Sequence, residues 1–364
     1  MKLKELCNSL EEWAPLAYQE SYDNSGLIVG DLSSELTGVL VSLDCIEEVI
    51  DEAIAKGCNV IVSHHPIVFK GLKTFTGNNY VERTVLKAIK NDIALYAIHT
   101  NLDNIHTGVN KMLADKIGLI NTRVLVPKKE VIKQLVTYAM PADADSIRNA
   151  LFEIGAGALG EYSECSFSVS GSGTFKGSGN SNPVVGEKGI RTCQIEERIE
   201  ILFPAFMESK VISVLKSSHS YEEVAYSVFD ISNENQNVGS GMIGELSVVE
   251  NSLDFLGTLK NNLNAEGIRY TSLVKNKIKK VAICGGSGSF LLQAAIRSGA
   301  DVFVTGDFKY HEFFDAENKI IIADVGHYES EQYTKDLIAD FLSEKFPKFA
   351  VHLSKVNTNP INYL

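Results

Sequence analysis

The segment Asn59-Val-Ile-Val-Ser-His-His-Pro66 constrains this chain more than any other. An apolar run of strand composition ends in two adjacent histidines and a proline. Within a strand, neighbouring side chains point to opposite faces, so His64 and His65 cannot share a site while the ladder continues. Pro66 stops the ladder just behind them, and the chain can then turn so that both imidazoles reach one cleft. A buried imidazole must be hydrogen-bonded or metal-bound, and a doubled one must be satisfied twice. Vicinal histidines at the carboxyl end of a buried strand therefore point to a metal site rather than to packing.

The flanking sequence puts that strand in an α/β rhythm. Ser25–Gly30 and Gly38–Asp44 read as strands, Ile46–Lys56 as an amphipathic helix closed by Gly57, Val81–Asn91 as a helix and Ile93–Thr100 as a strand. Strands alternating with helices of about ten residues indicate βαβ units and a mostly parallel sheet, whose ligands gather beyond the carboxyl ends of the strands. The strand ending in His99-Thr-Asn-Leu-Asp103 also ends in chemistry. Asp103 can reach what His64 and His65 reach, and lies too far before Gly108 to cap the next helix. His99 is either a ligand or a group that orients a ligating carboxylate.

Near residue 127 the character changes. Lys133–Met140 reads as a strand, Ala144–Ile154 as a helix, and Ser168–Pro183 as a Gly/Ser-rich loop. Strand, helix and strand follow over Arg198–Phe203, Phe206–Ser217 and Glu223–Ile231, the arithmetic of an inserted ferredoxin-like α+β module over 127–237. His219 within it reads as structural. The α/β pattern returns with the strand Lys279–Cys284, a turn at Gly285-Gly-Ser-Gly-Ser289, the strand Asp301–Asp307, a helix carrying His311, and a strand that runs into His327-Tyr-Glu-Ser-Glu331. The third glycine of a dinucleotide fingerprint is missing, so the glycine turn is not a Rossmann site. His327 and Glu331 stand four apart at a helix start, a spacing that places both on one side.

The candidate ligands are thus His64, His65, Asp103, His327 and Glu331. Three imidazoles and two carboxylates exceed what one tetrahedral zinc needs and suit two ions sharing a bridge. Such donors take zinc, iron, manganese or nickel.

Composition narrows the partners. The 364 residues carry 34 basic and 46 acidic side chains, a net charge of -12, which argues against a nucleic-acid backbone as the main partner. No run approaches the roughly 18 apolar residues of a membrane span, and the amino terminus lacks a signal-peptide apolar core. Six scattered cysteines without a C-x-x-C pair read as reduced thiols of a cytoplasmic protein.

The motifs Asp23–Gly30, Ser63-His-His-Pro66, His99–Asp103, Gly285-Gly-Ser-Gly288, Val304-Thr-Gly-Asp307 and Asp324–Glu331 together resemble the Nif-three-like family of dinuclear-metal-centre proteins, also called GTP cyclohydrolase I type 2 homologues. The 127–237 segment is similar to the extra PII- or CutA-like domain of the longer bacterial members. The resemblance implies two related α/β lobes, 1–126 and 238–364, with metals between them, and a toroidal homohexamer built as a trimer of dimers. It further implies that His64 and Asp103 hold one ion, that His65 and His327 hold the other, and that Glu331 bridges them. Tyr22, where many members have Trp, and Tyr310, where a second His is common before His311, depart from the pattern but are not ligands.

The expected function is a metal-dependent hydrolase acting on a small-molecule phosphoester or nucleotide, with His99 and His311 as candidate acid/base groups. The alternative is a metal-binding regulatory or scaffold protein whose inserted domain senses a ligand.

Overall fold

A computed structural model describes residues 1–129, 131–160 and 162–364. The chain forms two compact bodies, Met1–Val126 joined by Asn237–Leu364, and Pro127–Gln236.

The first body contains two sheets. In one, the strands stand in the order Gly26–Val29, Ala94–Ala97, Val60–Ser63, Val39–Ser42 and Val351–Leu353. The last four run parallel to one another, and Gly26–Val29 is an antiparallel edge. The three inner strands are buried along their whole length, which is why they read as unbroken apolar runs rather than alternating ones. Helices Glu47–Lys56 and Tyr80–Lys90 lay Val49, Ile50, Ala53, Val85 and Ala88 on Leu40, Ile61 and Leu95. Gly57 ends the first of these helices at φ +68°, as its C′ position requires.

The other sheet has a parallel centre, Lys277–Ser287, Val302–Gly306 and Ile321–Asp324, with antiparallel pairing outside it to Asn235–Asn251 and Arg269–Tyr270. Leu119–Lys128 completes it beside Asn235–Asn251. Its two faces carry separate cores, one around Phe255, Val281 and Val304 and one around Phe303, Phe308 and Ile322.

The second body is a four-stranded antiparallel sheet in the order Ser166–Lys176, Arg191–Pro204, Ile132–Ala139 and Tyr226–Asp230, with helices Ala144–Glu153 and Glu208–Ser218. Along the chain these elements run β–α–β–β–α–β, the connectivity of a split βαβ. Of the Gly/Ser stretch expected as loop over Ser168–Pro183, the first part belongs to the strand Ser166–Lys176, paired throughout with Arg191–Pro204, while residues 177–183 lie outside any strand. Serines and glycines at alternate positions dilute the apolar signal by which a strand is recognised, while a long partner strand supplies the backbone partners that fix it. His219, buried here, is held by its neighbours' backbone: its Nε2–H donates to the Tyr138 carbonyl at 3.0 Å, and its Nδ1 accepts from the Tyr221 N–H at 3.1 Å.

Candidate metal centre

The strand Val60–Ser63 ends one residue before His64, as the proline required. The chain then turns, with the His64 and His65 N–H groups donating to the carbonyls of Ser42 and Leu43, and the two rings come to 4.8 Å between centroids. Asp103 closes a single helical turn, Thr100–Asp103, just past the neighbouring strand. From the other sheet, His327 and Glu331 open and close the short helix His327–Glu331. His327 therefore begins that helix itself.

Each imidazole is oriented by its outward nitrogen. The Ile98 carbonyl can only accept, so the Nδ1 of His64, 2.8 Å away, carries the proton and donates it. Its Nε2 lone pair then faces inward. The Nδ1 of His65 lies 2.7 Å from Asp44, that of His327 2.7 Å from Asp307, and that of His99 2.7 Å from Asp23. A carboxylate or carbonyl behind a histidine is the arrangement that aims the far nitrogen at a metal.

The inner atoms converge. His64 Nε2 is 3.6 Å from Asp103 Oδ1 and 3.9 Å from Glu331 Oε1. His65 Nε2 and His327 Nε2 each lie 3.0 Å from Glu331 Oε2 and 3.3 Å from one another. Three metal-capable groups result: His64, Asp103 and Glu331; His65, His327 and Glu331; and His64, His65 and His99. Glu331 belongs to the first two. Both His64 Nε2 and Asp103 Oδ1 are buried without a hydrogen-bond partner. Two orphaned acceptors facing each other in a buried site are costly, and a cation is the species that satisfies both.

The proton equilibria carry the same message. Burial and the nearby Glu331 carboxylate push Asp103 up to about 7. Burial opposes the His65 imidazolium, but Asp44 and Glu331 more than offset this and lift it to about 9. The Glu331 charge holds His327 up, to about 11, and those cationic rings hold Glu331 well below the usual carboxylate range despite its burial. The groups compete for positive charge, which a divalent ion supplies.

Glycine makes room for the shared carboxylate. Gly286 sits at φ +61°, and a Cβ there would stand 2.4 Å from Glu331 Oε1. Its N–H donates to Ser330 Oγ, while Thr305 donates to its carbonyl. The glycine turn thus lets the Glu331 helix approach closely. His311 lies exposed in the 3₁₀ segment Tyr310–Ala316 against Tyr310 and Phe314, and belongs to none of the metal-capable groups among the described residues. The positioning carboxylates Asp23, Asp44 and Asp307 were not assigned from sequence. Asp44 and Asp307 each directly follow an apolar run at a strand end, beside strands that deliver ligands, and that placement was the available signal.

A cavity of about 1030 Å³ opens over the centre, with His65, His99, Asp103, His327 and Glu331 in its lining. The fold and donor set together define an α/β protein with a histidine–carboxylate centre able to hold metal. The sequence model of Duf34/NIF3 (NGG1p interacting factor 3) matches residues 1–360. A Bacillus subtilis protein named GTP cyclohydrolase 1 type 2 homolog is 37% identical over 367 residues, covering 99% of this chain and 98% of its own. A Staphylococcus aureus protein of the same name is 36% identical, with 100% of both covered. The crystal structure of a Bacillus cereus protein related to NIF3 superposes with a TM-score of 0.87 at 36% identity, covering 100% of this chain and 99% of the other. The chain belongs to the Duf34/NIF3 family.

Proposed function

We propose that the chain is a hydrolase that works with two divalent ions, of zinc, iron, manganese or nickel type, on a small phosphoester or nucleotide. The observation that carries this reading is the pair of orphaned buried acceptors, His64 Nε2 and Asp103 Oδ1, beside a carboxylate shared between two donor groups. His64 and Asp103 would hold one ion, His65 and His327 the other, and Glu331 both. Bound there, the ions would supply Lewis acidity and lower the pKa of water.

The chain's own residues do the rest. Asp44, Asp307 and the Ile98 carbonyl fix the three ligand rings. His99 lines the cavity, and its Nδ1 is held by Asp23, which also accepts from the Thr100 hydroxyl and N–H. That leaves His99 Nε2 facing the centre as the group that takes or gives a proton. Elemental analysis of protein purified without added metal, paired with a phosphoester and nucleotide hydrolysis screen, tests the reading. The expected result is close to two ions per chain and turnover lost on chelation. One ion or none, or turnover surviving His64→Ala with Asp103→Ala, sinks it.

A second reading, a metal-binding regulator, is favoured by one observation. The body Pro127–Gln236 has its own core yet supplies no member of the three groups, so its task lies elsewhere. Two bound ions with no turnover on any substrate favour that reading.

A further inference from the structure

We infer that the cavity over the metal centre binds an amino-substituted nitrogen heterocycle, as free base or nucleoside, in preference to a di- or triphosphate. This rests on the hydrolase reading and narrows it: of the molecules named there, the site recognises the ring of a nucleotide rather than its phosphates.

The first observation is the aromatic wall. Tyr22 and Phe69 line the cavity with ring centroids 6.1 Å apart, and Phe69 lies edge-on to His99 at 6.3 Å. Neither is a core residue: Tyr22 is 62% exposed and Phe69 45%. Large rings left in water at a cavity mouth mark a binding surface. Phe69 thus links the exposed Tyr22 to His99, which is less exposed than either. Phe290, Tyr328 and Tyr363 line the same space. Planar rings offer a flat ligand stacking or edge contacts, which a phosphate chain cannot use.

The second observation is charge. Beyond Asp44, Asp103, Asp307 and Glu331, the lining includes Glu20, Asp324 and Glu329. Against these seven carboxylates stands one guanidinium, Arg269, already bonded to Asp324 and to the Phe308 carbonyl. Two divalent ions cancel four of the seven charges and Arg269 one more, so the cavity stays acidic when loaded. A polyphosphate brings further negative charge and only acceptor oxygens. Ionised carboxylates also only accept; Asp324 is taken up by Arg269 and the N–H groups of Phe308 and Gly326, while Glu329, met by the Asn359 amide, has acceptor positions left, and a ligand complementary to them presents N–H donors. Flat and rich in N–H donors describes an amino-substituted heterocycle.

The test is a fluorescence titration of full-length, zinc-loaded protein with 2-aminopurine riboside and with its 5′-triphosphate, since stacking quenches this probe. The expected result is quenching by the cavity, with the nucleoside bound about tenfold or more tighter than the triphosphate. Tyr22→Ala with Phe69→Ala, at unchanged zinc content, loses about tenfold or more of the nucleoside affinity, the scale of ring stacking. Tyr22→Phe with Phe69→Tyr keeps it. A triphosphate bound as tightly as the nucleoside, or affinity untouched by the double alanine change, overturns the inference. Nucleoside binding without any turnover would sink the hydrolase reading and leave the ring site standing. Phosphoester turnover with no nucleoside binding would sink the ring site alone.

Discussion

Glu82 and Asp103 lie in the same α/β body, and each buries carboxylate oxygen, yet they live in opposite surroundings. Glu82 gathers six donors: the N–H groups of Thr76, Gly77 and Asn78, the hydroxyls of Thr74 and Thr76, and the Asn79 amide. Those bonds hold it down to about 2. Asp103 offers its buried Oδ1 to no donor, and burial pushes it up to about 7. The imidazoles repeat the contrast. His219 has both ring nitrogens met by backbone, whereas the Nε2 of His64 is met by nothing. Glu82 and His219, which the fold uses structurally, have their hydrogen bonds completed. Where two acceptors, His64 Nε2 and Asp103 Oδ1, are left incomplete facing each other, a cation is the species that could satisfy both.

The comparison breaks most visibly at Asp103. Asp103→Asn removes a candidate metal donor and the charge on a buried oxygen that no hydrogen-bond donor compensates. Metal content should fall by about one ion per chain, while the chelated protein becomes about 1–3 kcal/mol more stable, because an unpaired buried carboxylate has gone. Elemental analysis and thermal unfolding in chelator read the two effects; a chelated variant less stable than its parent would contradict the orphan argument. Next in size is the loss of a ring's outer partner. Asp44→Asn and Asp307→Asn should each weaken metal binding by about 10- to 100-fold while the far-UV spectrum stays unchanged. His219→Ala should leave metal affinity alone and cost about 1–3 kcal/mol of stability, as a satisfied buried group does. A competition titration with a chromogenic chelator separates these outcomes.

How much of this was legible follows from what each element depends on. The convergence of His64, His65, Asp103, His327 and Glu331 on one place is legible because strand-end placement and four-residue spacing are local properties of the sequence. So are the inner parallel strands, whose continuous burial leaves continuous apolar runs. The partners behind the rings are not. Asp44 meets His65 across 21 residues, and Asp23 meets His99 across 76, so only the closed sheet pairs them. Asp307 adds a backbone signal absent from any sequence pattern, a φ of +59° at a residue that is not glycine. Strand Ser166–Lys176 was hidden for another reason: its composition argues for loop, and its partner strand decides otherwise.

Gly286 sharpens the comparison by testing space rather than charge. Ala at this position takes a φ that L-residues rarely adopt and sets its methyl against Glu331 Oε1. The expected cost is about 1–3 kcal/mol of stability, together with weaker metal binding, because the shared carboxylate must retreat. Gly57→Ala is the control. Its φ is also positive, but nothing lies within 4 Å of the new methyl, so it should lose stability and keep its metal affinity. Equal metal affinity in both variants would mean that the Glu331 contact does not matter.

The smallest effect belongs to Glu82, and its sign is fixed by linkage. The folded carboxyl titrates below its ordinary value of 4.5, so the contribution of its six bonds is complete above pH 4.5 and fades as pH falls toward about 2. Glu82→Gln should therefore lower the unfolding temperature at pH 7, and the gap between parent and variant should narrow from pH 4.5 downward. The fold as a whole also weakens in acid, so the difference between the two proteins is the quantity to follow. A gap that stays constant from pH 7 to pH 3 would show that the hydroxyl and amide donors bind a neutral carboxamide as well as they bind the charge. Asp103→Asn examined over the same range supplies the opposite pole. In chelator, that variant should gain most over its parent at neutral pH and above, where the parent's Asp103 gives up its proton. The gain should shrink as pH drops below about 7 and the parent's carboxyl becomes neutral. Two carboxylates in one body would then show pH dependences of opposite sign, set by what surrounds each oxygen.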